Sequence, residues 1–396
     1  MKRSEIKVLH LITELPVGGA QDNTLLSVKG LKEKGYQVDI AAAPGGAWEL
    51  LAKEYADNVF YIDAFLTNAI SPISNIKGII EVIKHLKCIK YDIIHTHSTT
   101  AGICGRIGAK IAGVPIIIHT VHGFAFNDFQ KPLKKTFLIY LEKICAKLCD
   151  HMITVSNLNL EEIIERKISK TVLLTNIYSG IDLEKFNIKK DPLEIRSRLE
   201  IPERHQVVGL VARLSHQKAP EYFVMAAKKI LKEKPEVTFL IVGDGPLKTE
   251  LEQQIGDEPR IKLLGSREDV PDILYILDVF ALSSIYEGLG RAMTEAMISA
   301  KPVVAPAVNG IPEIVIDNET GFLVKPKDPD SLAEKIMVLL NNNELRLQMG
   351  QNAYNKVVPA FSDKKMVDDI DKLYCKILLT KLNIEITTEE KVPVKL

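Results

Sequence analysis

Two glutamates eight positions apart, Glu287 and Glu295, bracket the segment Glu287-Gly288-Leu289-Gly290-Arg291-Ala292-Met293-Thr294-Glu295. Glu287 precedes a glycine-rich turn, and Glu295 follows that turn by little more than one turn of helix. A carboxylate before a helix start and another in its second turn can face one ligand. Between them, Gly288 and Gly290 let the backbone approach closely, and the helix start offers N–H groups to an anion. The pattern suits a ligand with hydroxyls at two ends and phosphate in the middle, as in a nucleotide-sugar. A bare pair of glutamates at this spacing is more often a solvated helix face. The glycines, and the apolar run Val279–Leu282 just before them, favour the ligand.

Other motifs with chemical capacity also follow apolar runs. Gly18-Gly19, in Leu15-Pro16-Val17-Gly18-Gly19-Ala20-Gln21, can bring backbone N–H groups to a phosphate at a helix start. The motif is not Gly-x-Gly-x-x-Gly, and no acid ends the second strand, so a dinucleotide reading is weak. His95-Thr96-His97 and His119-Thr120-Val121-His122-Gly123 lie at two strand ends. A histidine there is commonly a satisfied core residue. His122, at a strand exit beside glycine, is the best placed to bond a sugar hydroxyl or a phosphate. No carboxylate stands close in sequence to complete a metal site with these histidines. Further along, Arg213 and Lys218 could clamp a diphosphate, the arginine as a fork and the lysine as a point charge. Gly243-Asp244-Gly245-Pro246 makes a tight turn. Backbone groups of Gly265-Ser266-Arg267 could read a base, and Asn309-Gly310-Ile311-Pro312-Glu313 adds a carboxylate.

These residues need a scaffold that carries strand ends to one place. Apolar runs at Lys7–Ile12, Val38–Ala43, Val59–Ile62, Ile93–His97, Ile116–Val121 and Met152–Val155 read as buried parallel strands. Helix-length amphipathic stretches such as 21–34, 76–87 and 100–112 lie between them. A second series covers Val207–Ala212, Thr238–Val242, Ile261–Leu264, Val279–Leu282, Val303–Pro306 and Gly321–Val324, with helices such as 219–232 and 330–340. The pattern breaks around 178–202, and helical periodicity returns at 344–358 and 363–379. The alternation predicts an α/β protein of two doubly wound, Rossmann-like domains facing across a cleft. Ligands in such sheets bind outside the carboxyl ends of the strands.

With 396 residues and 46% apolar content, the chain can bury two cores. Its 51 basic and 51 acidic side chains balance, so nothing global points to nucleic acid as a partner. Its 5 cysteines are an odd number with no Cys-x-x-Cys spacing, as for free thiols in a reducing compartment. Lys2-Arg3 before an apolar run could suggest a signal peptide, but Val8–Ile12 is short and contains His10, so it reads as a first strand. No run approaches the ~20 apolar residues of a membrane helix. The expected location is the cytoplasm.

In this order, the glycine turn, the two histidine strand ends, Arg213…Lys218, Gly-Asp-Gly-Pro, Gly-Ser-Arg, Glu-x7-Glu and Gly-x-x-Glu resemble glycosyltransferase family 4, retaining enzymes of the GT-B fold. The resemblance spans roughly residues 5–380. It implies domains at 1–185, joined by the C-terminal helix 363–380, and at 186–362, with a tail at 381–396. It implies a nucleotide-diphosphate sugar as donor, UDP-linked in preference to GDP-linked, and a saccharide or lipid-linked acceptor. Arg213 and Lys218 would meet the diphosphate, Glu295 the ribose hydroxyls and Glu287 the donor sugar. Backbone at Gly288, Leu289, Gly290 and Arg291 would approach sugar and phosphate. Gly265, Ser266 and Arg267 would lie near the base, supported by Glu313. Gly18 and Gly19 would close over the donor, and His122 would contact the sugar near the reacting carbon. Glu287 and His122 are thus the catalytic-site residues, and His95 and His97 are acceptor-side candidates. No metal or cofactor is required. The sequence departs from the common family pattern at Ala212, Ala219, Leu289 and Arg291, and none of these removes a needed charge.

A sugar-nucleotide epimerase of the same build and an inactive binding scaffold are the rival readings. One further expectation concerns lipid. Phe126, Phe129, Phe137 and Tyr140 interleave with Lys131, Lys134, Lys135, Lys143 and Lys147 in the stretch 124–149, as in a helix lying on an anionic membrane at its inner face. The bland alternative is that the apolar residues pack on the sheet.

Overall fold

The computed structural model describes residues 1–67, 72–126, 130–169, 173–188 and 190–386. The chain divides into two compact units, Met1–Ile181 with the chain from Asp363 onward, and Asp182–Ser362.

In the first unit, β1 (Lys7–Leu11), β2 (Gln37–Ala42), β3 (Val59–Tyr61), β4 (Ile93–His97), β5 (Ile116–Val121), β6 (His151–Thr154) and β7 (Leu173–Asn176) form one parallel sheet in the order β3-β2-β1-β4-β5-β6-β7. Helices cover both faces, so runs such as Ile116-Ile117-Ile118 are continuously apolar and fully buried. β7 goes beyond the sequence reading. It is an edge strand ending in Thr175-Asn176, only partly buried there, and so carries a weaker apolar signal.

The last helix, Asp363–Leu382, belongs to this unit. Met366, Ile370, Leu373, Tyr374 and Ile377 are buried with Val8, Val38 and Ile40 in one core. Arg3 grips Asp371 through two bonds of 3.0 and 3.1 Å, and Tyr36 donates its hydroxyl to the same carboxylate at 2.7 Å. The expected tail at 381–396 is corrected at its start: the helix runs to Leu382, and Ile384 and Ile386 pack on the same core. The fraying expected at 387–396 lies outside the described residues.

A second internal tie joins the helices Thr99–Ala112 and Pro132–Ala146. Arg106, fully buried, donates to Glu142 at 2.6 and 3.1 Å and to the Gly102 carbonyl at 2.8 Å.

In the second unit, β8 (Gln206–Val211), β9 (Val237–Val242), β10 (Ile261–Gly265), β11 (Val279–Ala281), β12 (Val303–Pro306) and β13 (Gly321–Val324) form a parallel sheet in the order β10-β9-β8-β11-β12-β13. The stretch read as a break, 178–202, contains a short helix, Pro192–Arg198, whose start is capped by Asp191 accepting from the Leu193 N–H at 2.9 Å. In each sheet the strand order reverses beside its first strand, between β1 and β4 and between β8 and β11. Loops leaving such a point in opposite directions open a crevice at the carboxyl ends of the strands.

Candidate active site

The loops after β8 and β11 leave the second unit's reversal point side by side, and they are sewn together. The Ile285 N–H donates to the Gln217 carbonyl at 2.8 Å, and the Gln217 amide returns a bond to the Tyr286 carbonyl at 3.2 Å. The Ser283 hydroxyl donates to the Lys218 carbonyl at 3.0 Å. This lacing brings Lys218 and Glu287 into an ion pair, and the Ser284 hydroxyl donates to the same Glu287 oxygen at 3.1 Å. The Glu287 side chain is 8% exposed and that of Lys218 21%, so the pair is shielded but reachable. Arg213 is exposed, and no carboxylate among the described residues pairs with it.

The glycine turn leads into the helix Arg291–Ile298. Gly290 caps its start at φ 76°, in the left-handed region that costs a side chain about 1 kcal/mol or more. The loop after β12 holds this turn from outside. A Cβ at Gly310 would fall 2.0 Å from the Gly288 carbonyl oxygen, so the two backbones touch at a distance only glycine permits. Asn309 accepts the Glu287 N–H at 3.3 Å. Glu313 follows, half-buried, in the one-turn helix Ile311–Ile314. Within the helix Arg291–Ile298, Glu295 accepts from Arg291 at 3.0 Å. Ala219 stands where the related motif has glycine, and its φ of 44° lies in the left-handed region. The helix Pro220–Glu233 starts from a strained cap beside Lys218.

Gly243-Asp244-Gly245-Pro246 packs against the Arg213 loop, with the Leu214 N–H donating to the Asp244 carbonyl at 3.0 Å. Gly265 ends β10, and Ser266 is exposed beside it. The Arg267 side chain forks onto Asp269 with two bonds of 2.7 Å, which raises the guanidinium pKa and lowers that of the Asp269 carboxyl.

In the first unit, Gly18 caps the helix Gly19–Glu33, with both glycines at the carboxyl end of β1. His122 leaves β5, half-buried, and lines a small cavity with Ser98, Thr99, His119, Phe124 and Glu142. His95 and His97 do not present themselves to an acceptor, which corrects their reading as acceptor-side groups. Both are wholly buried. His95 spends its nitrogens on the Tyr374 hydroxyl at 2.7 Å and the Thr120 hydroxyl at 2.6 Å. His97 bonds His122 at 3.1 Å on one side and His10 at 3.0 Å on the other. Burial lowers the pKa of His10 to about 3 and those of His95 and His97 well below the ordinary imidazole value, so all three are neutral at pH 7.

His10, His95 and His97 each offer a ring nitrogen within 4.8 Å of the others. Apart from His10 Nε2, these nitrogens are committed to one another, to His122, or to Tyr374 and Thr120, so an ion would have to break those bonds to bind. His10 entered the sequence reading only as a polar interruption of the first strand. The signal available was its place on the strand beside the alternating His95 and His97, with His10 directly opposite His95.

Two nucleotide-binding-type sheets, with a lysine–glutamate pair and a glycine-gated helix start at one reversal point, define a GT-B-like glycosyltransferase scaffold. The chain belongs to glycosyltransferase family 4: residues 17–185 match the family model "Glycosyltransferase Family 4" and residues 191–356 match "Glycosyl transferases group 1". It is 33% identical over 96% of its length, and 99% of the relative's, to UDP-Gal:alpha-D-GlcNAc-diphosphoundecaprenol alpha-1,3-galactosyltransferase of Escherichia coli. It is 26% identical to the capsular polysaccharide biosynthesis glycosyltransferase CapM of Staphylococcus aureus, over 93% of this chain and 96% of that one. Among solved structures it is similar to HepE of Anabaena in complex with UDP and glucose, with a TM-score of 0.81 and 23% identity over 94% of this chain and 100% of that one. The protein is a glycosyltransferase.

Proposed function

We propose that this glycosyltransferase takes its sugar from a UDP-sugar and passes it, with configuration retained, to a saccharide or lipid-linked acceptor in the synthesis of a surface polysaccharide or related glycoconjugate. The Lys218–Glu287 pair beside the helix start at Gly290 carries the reading. Its support includes the galactosyltransferase from Escherichia coli, whose name specifies a UDP-sugar and a diphosphoundecaprenol-linked acceptor.

The bond from the anomeric carbon to the diphosphate breaks, the acceptor oxygen bonds to that carbon, and the acceptor proton passes to the leaving phosphate on the same face. Charge then grows on the diphosphate. Lys218, held by Glu287, and the N–H groups after Gly290 are fixed in advance to meet it, and Arg213 adds a second cation. Lys218 starts bonded to Glu287, so an arriving diphosphate competes for the ammonium and turns Glu287 toward the hydroxyls of the sugar. Glu295 takes the ribose, and Gly265, Ser266, Arg267 and Glu313 form the base end. Gly18 and Gly19 supply N–H groups for an anion. Side-chain cations replace a metal.

The test is turnover of UDP-glucose, UDP-galactose, UDP-N-acetylglucosamine and GDP-mannose in EDTA, with and without a lipid-diphosphate-linked sugar. Transfer from a UDP-sugar, unchanged by EDTA, is expected. Activity lost in EDTA and restored by Mn²⁺ would remove the metal-free mechanism. Epimerised donor without acceptor would favour an epimerase.

No helix among the described residues is long and apolar enough to cross a membrane. Surface contact with an anionic membrane is supported instead by one face of the helix Pro132–Ala146. Leu133, Phe137, Tyr140 and Ile144, spaced by four, three and four, are 87, 59, 64 and 43% exposed. Lys131, Lys134 and Lys147 are exposed around them. Phe126 drops out of this face: it is 5% exposed, in a core with Phe124 stacked on it. Phe129 lies outside the described residues. At about 1 kcal/mol per basic residue near the surface, Lys134→Glu with Lys135→Glu should cut binding to anionic vesicles tenfold or more. Phe137→Ser should weaken it as well. Equal sedimentation of all variants, or none of the unaltered protein at low salt, would refute lipid contact.

A further inference from the structure

A string of alternating charges runs through the second unit: Arg267, Asp269, Arg198, Asp272 and Lys190. Arg267 forks onto Asp269 through Nε and Nη2, each at 2.7 Å. Arg198 Nη2 donates to Asp269 Oδ2 at 2.7 Å and to Asp272 Oδ2 at 3.2 Å. Lys190 Nζ donates to that same Asp272 oxygen at 2.6 Å. The two carboxylates stand at one helix start: Asp269 immediately precedes the helix Val270–Ile276, and Asp272 lies in its first turn. The cations come from either end of the short helix Pro192–Arg198, which Lys190 precedes and Arg198 ends. One helix is thus strapped at both ends to the start of the other.

The far end of the string is the loop given above to the nucleotide base. Gly265 ends β10 at φ 67°, in the left-handed region where a side chain would be strained. Between it and Asp269, the backbone of Ser266, Arg267 and Glu268 makes no hydrogen bond among the described residues. Ser266 and Glu268 are also exposed. The loop therefore depends on side-chain ties. Its own tie, from Arg267 to Asp269, spans two residues and fixes the loop only against itself. Among the described residues, Arg198 alone reaches Asp269 from a distant part of the chain, 71 positions away.

An ion pair on an exposed arginine ordinarily contributes little. Arg198 is 45% exposed, but its Nη2 sits between carboxylates that are only 21 and 5% exposed. Asp269 gives both oxygens to Arg267 and one of them also to Arg198. A shift of that carboxylate is passed directly to the Arg267 fork, whose planar geometry tolerates little displacement.

We propose that Arg198 is a positioning residue for recognition of the donor's base: by joining Asp269 to Asp272 it fixes the Arg267 fork, and with it the loop that holds the uracil ring. The inference rests on the UDP-sugar reading above. It separates two parts of the donor. The diphosphate is met by Lys218 and the helix start at Gly290, which the string does not touch, so loss of Arg198 acts on the base and spares the diphosphate.

The test compares UDP with inorganic pyrophosphate, which has the two phosphates and no base. Labelled UDP is titrated onto the full chain by equilibrium dialysis, and pyrophosphate is measured by its displacement of that UDP. Arg198→Met should weaken UDP about tenfold, as for a lost charge-assisted bond, and leave pyrophosphate within about twofold. With a UDP-sugar that the enzyme turns over, KM should rise and kcat should hold. Arg198→Lys, which keeps the charge without the fork, should recover part of the loss. If the Met variant does not fold, Asp269→Asn keeps the shape of the loop and removes the charge both arginines share, and it should show the same split. UDP and pyrophosphate weakened alike would make the string a general support of the unit and overturn the proposal, as would unchanged UDP affinity. Tighter binding of GDP than UDP by the unaltered protein would count against the UDP reading, and the split would then be read with GDP in place of UDP.

Discussion

Glu287→Gln is expected to lower kcat by about two orders of magnitude, on the scale seen when one fixed electrostatic contact to a reacting centre is removed. The change keeps the shape of the side chain, the bond it accepts from Ser284 and the backbone bond from its own N–H to Asn309, so unfolding midpoints should move little. Lys218→Ala should instead act on donor binding. Loss of a charge-assisted contact worth roughly 1.5–3 kcal/mol weakens UDP affinity about 10- to 150-fold. The two residues are bonded to each other, so their effects should not add, and the double variant should lose less than the product of the singles. Isothermal titration with UDP and steady-state kinetics read the two effects separately. A Glu287→Gln enzyme within threefold of the parent kcat would rule this carboxylate out of the reaction.

The second large effect concerns folding of the first unit. Glu142→Gln should destabilise it by about 3–5 kcal/mol, because it leaves the Arg106 guanidinium buried without a full counter-charge. Burial alone would push the Glu142 carboxyl upward, but Arg106 more than offsets this and holds its pKa below 4.5. A depressed carboxylate stabilises the fold above its unfolded pKa. The contribution of this pair is therefore full above about pH 4.5 and is lost as pH falls through the lower folded value. Arg106→Met with Glu142→Leu should recover most of the loss, since a packed apolar pair removes both desolvation costs. Urea unfolding followed by circular dichroism checks both. A single-variant loss under 1 kcal/mol would contradict the assignment.

Much of this architecture can be read from the sequence, because buried parallel strands announce themselves as unbroken apolar runs. Ile116-Ile117-Ile118 and Val237–Val242 could hardly be anything else. β7 is missed because an edge strand needs less apolar content. The short helix Pro192–Arg198 is missed because seven residues with one buried side chain carry no periodicity. The site divides in the same way. Glu-x7-Glu is local and visible. The bond from Lys218 to Glu287 joins residues 69 apart in sequence, and only the adjacency of β8 and β11 creates it. The fork of Arg267 onto Asp269, two residues on, is likewise not announced by the sequence. His95 and His97 look like acceptor-side groups until Tyr374, 279 positions after His95, turns out to cap one of them.

The place of the last helix bears on how the chain is made. The core of the first unit takes Met366, Ile370, Tyr374 and Ile377 from beyond the whole of Asp182–Ser362. A ribosome adding roughly 5–20 residues per second takes about 10–35 s to cross that interval. Throughout it, the apolar faces of the helix Gly19–Glu33 and of β1 wait without their cover, while the second unit has all its own residues to hand. The half made first is finished last, and during that delay nascent chains are most exposed to chaperones and to one another.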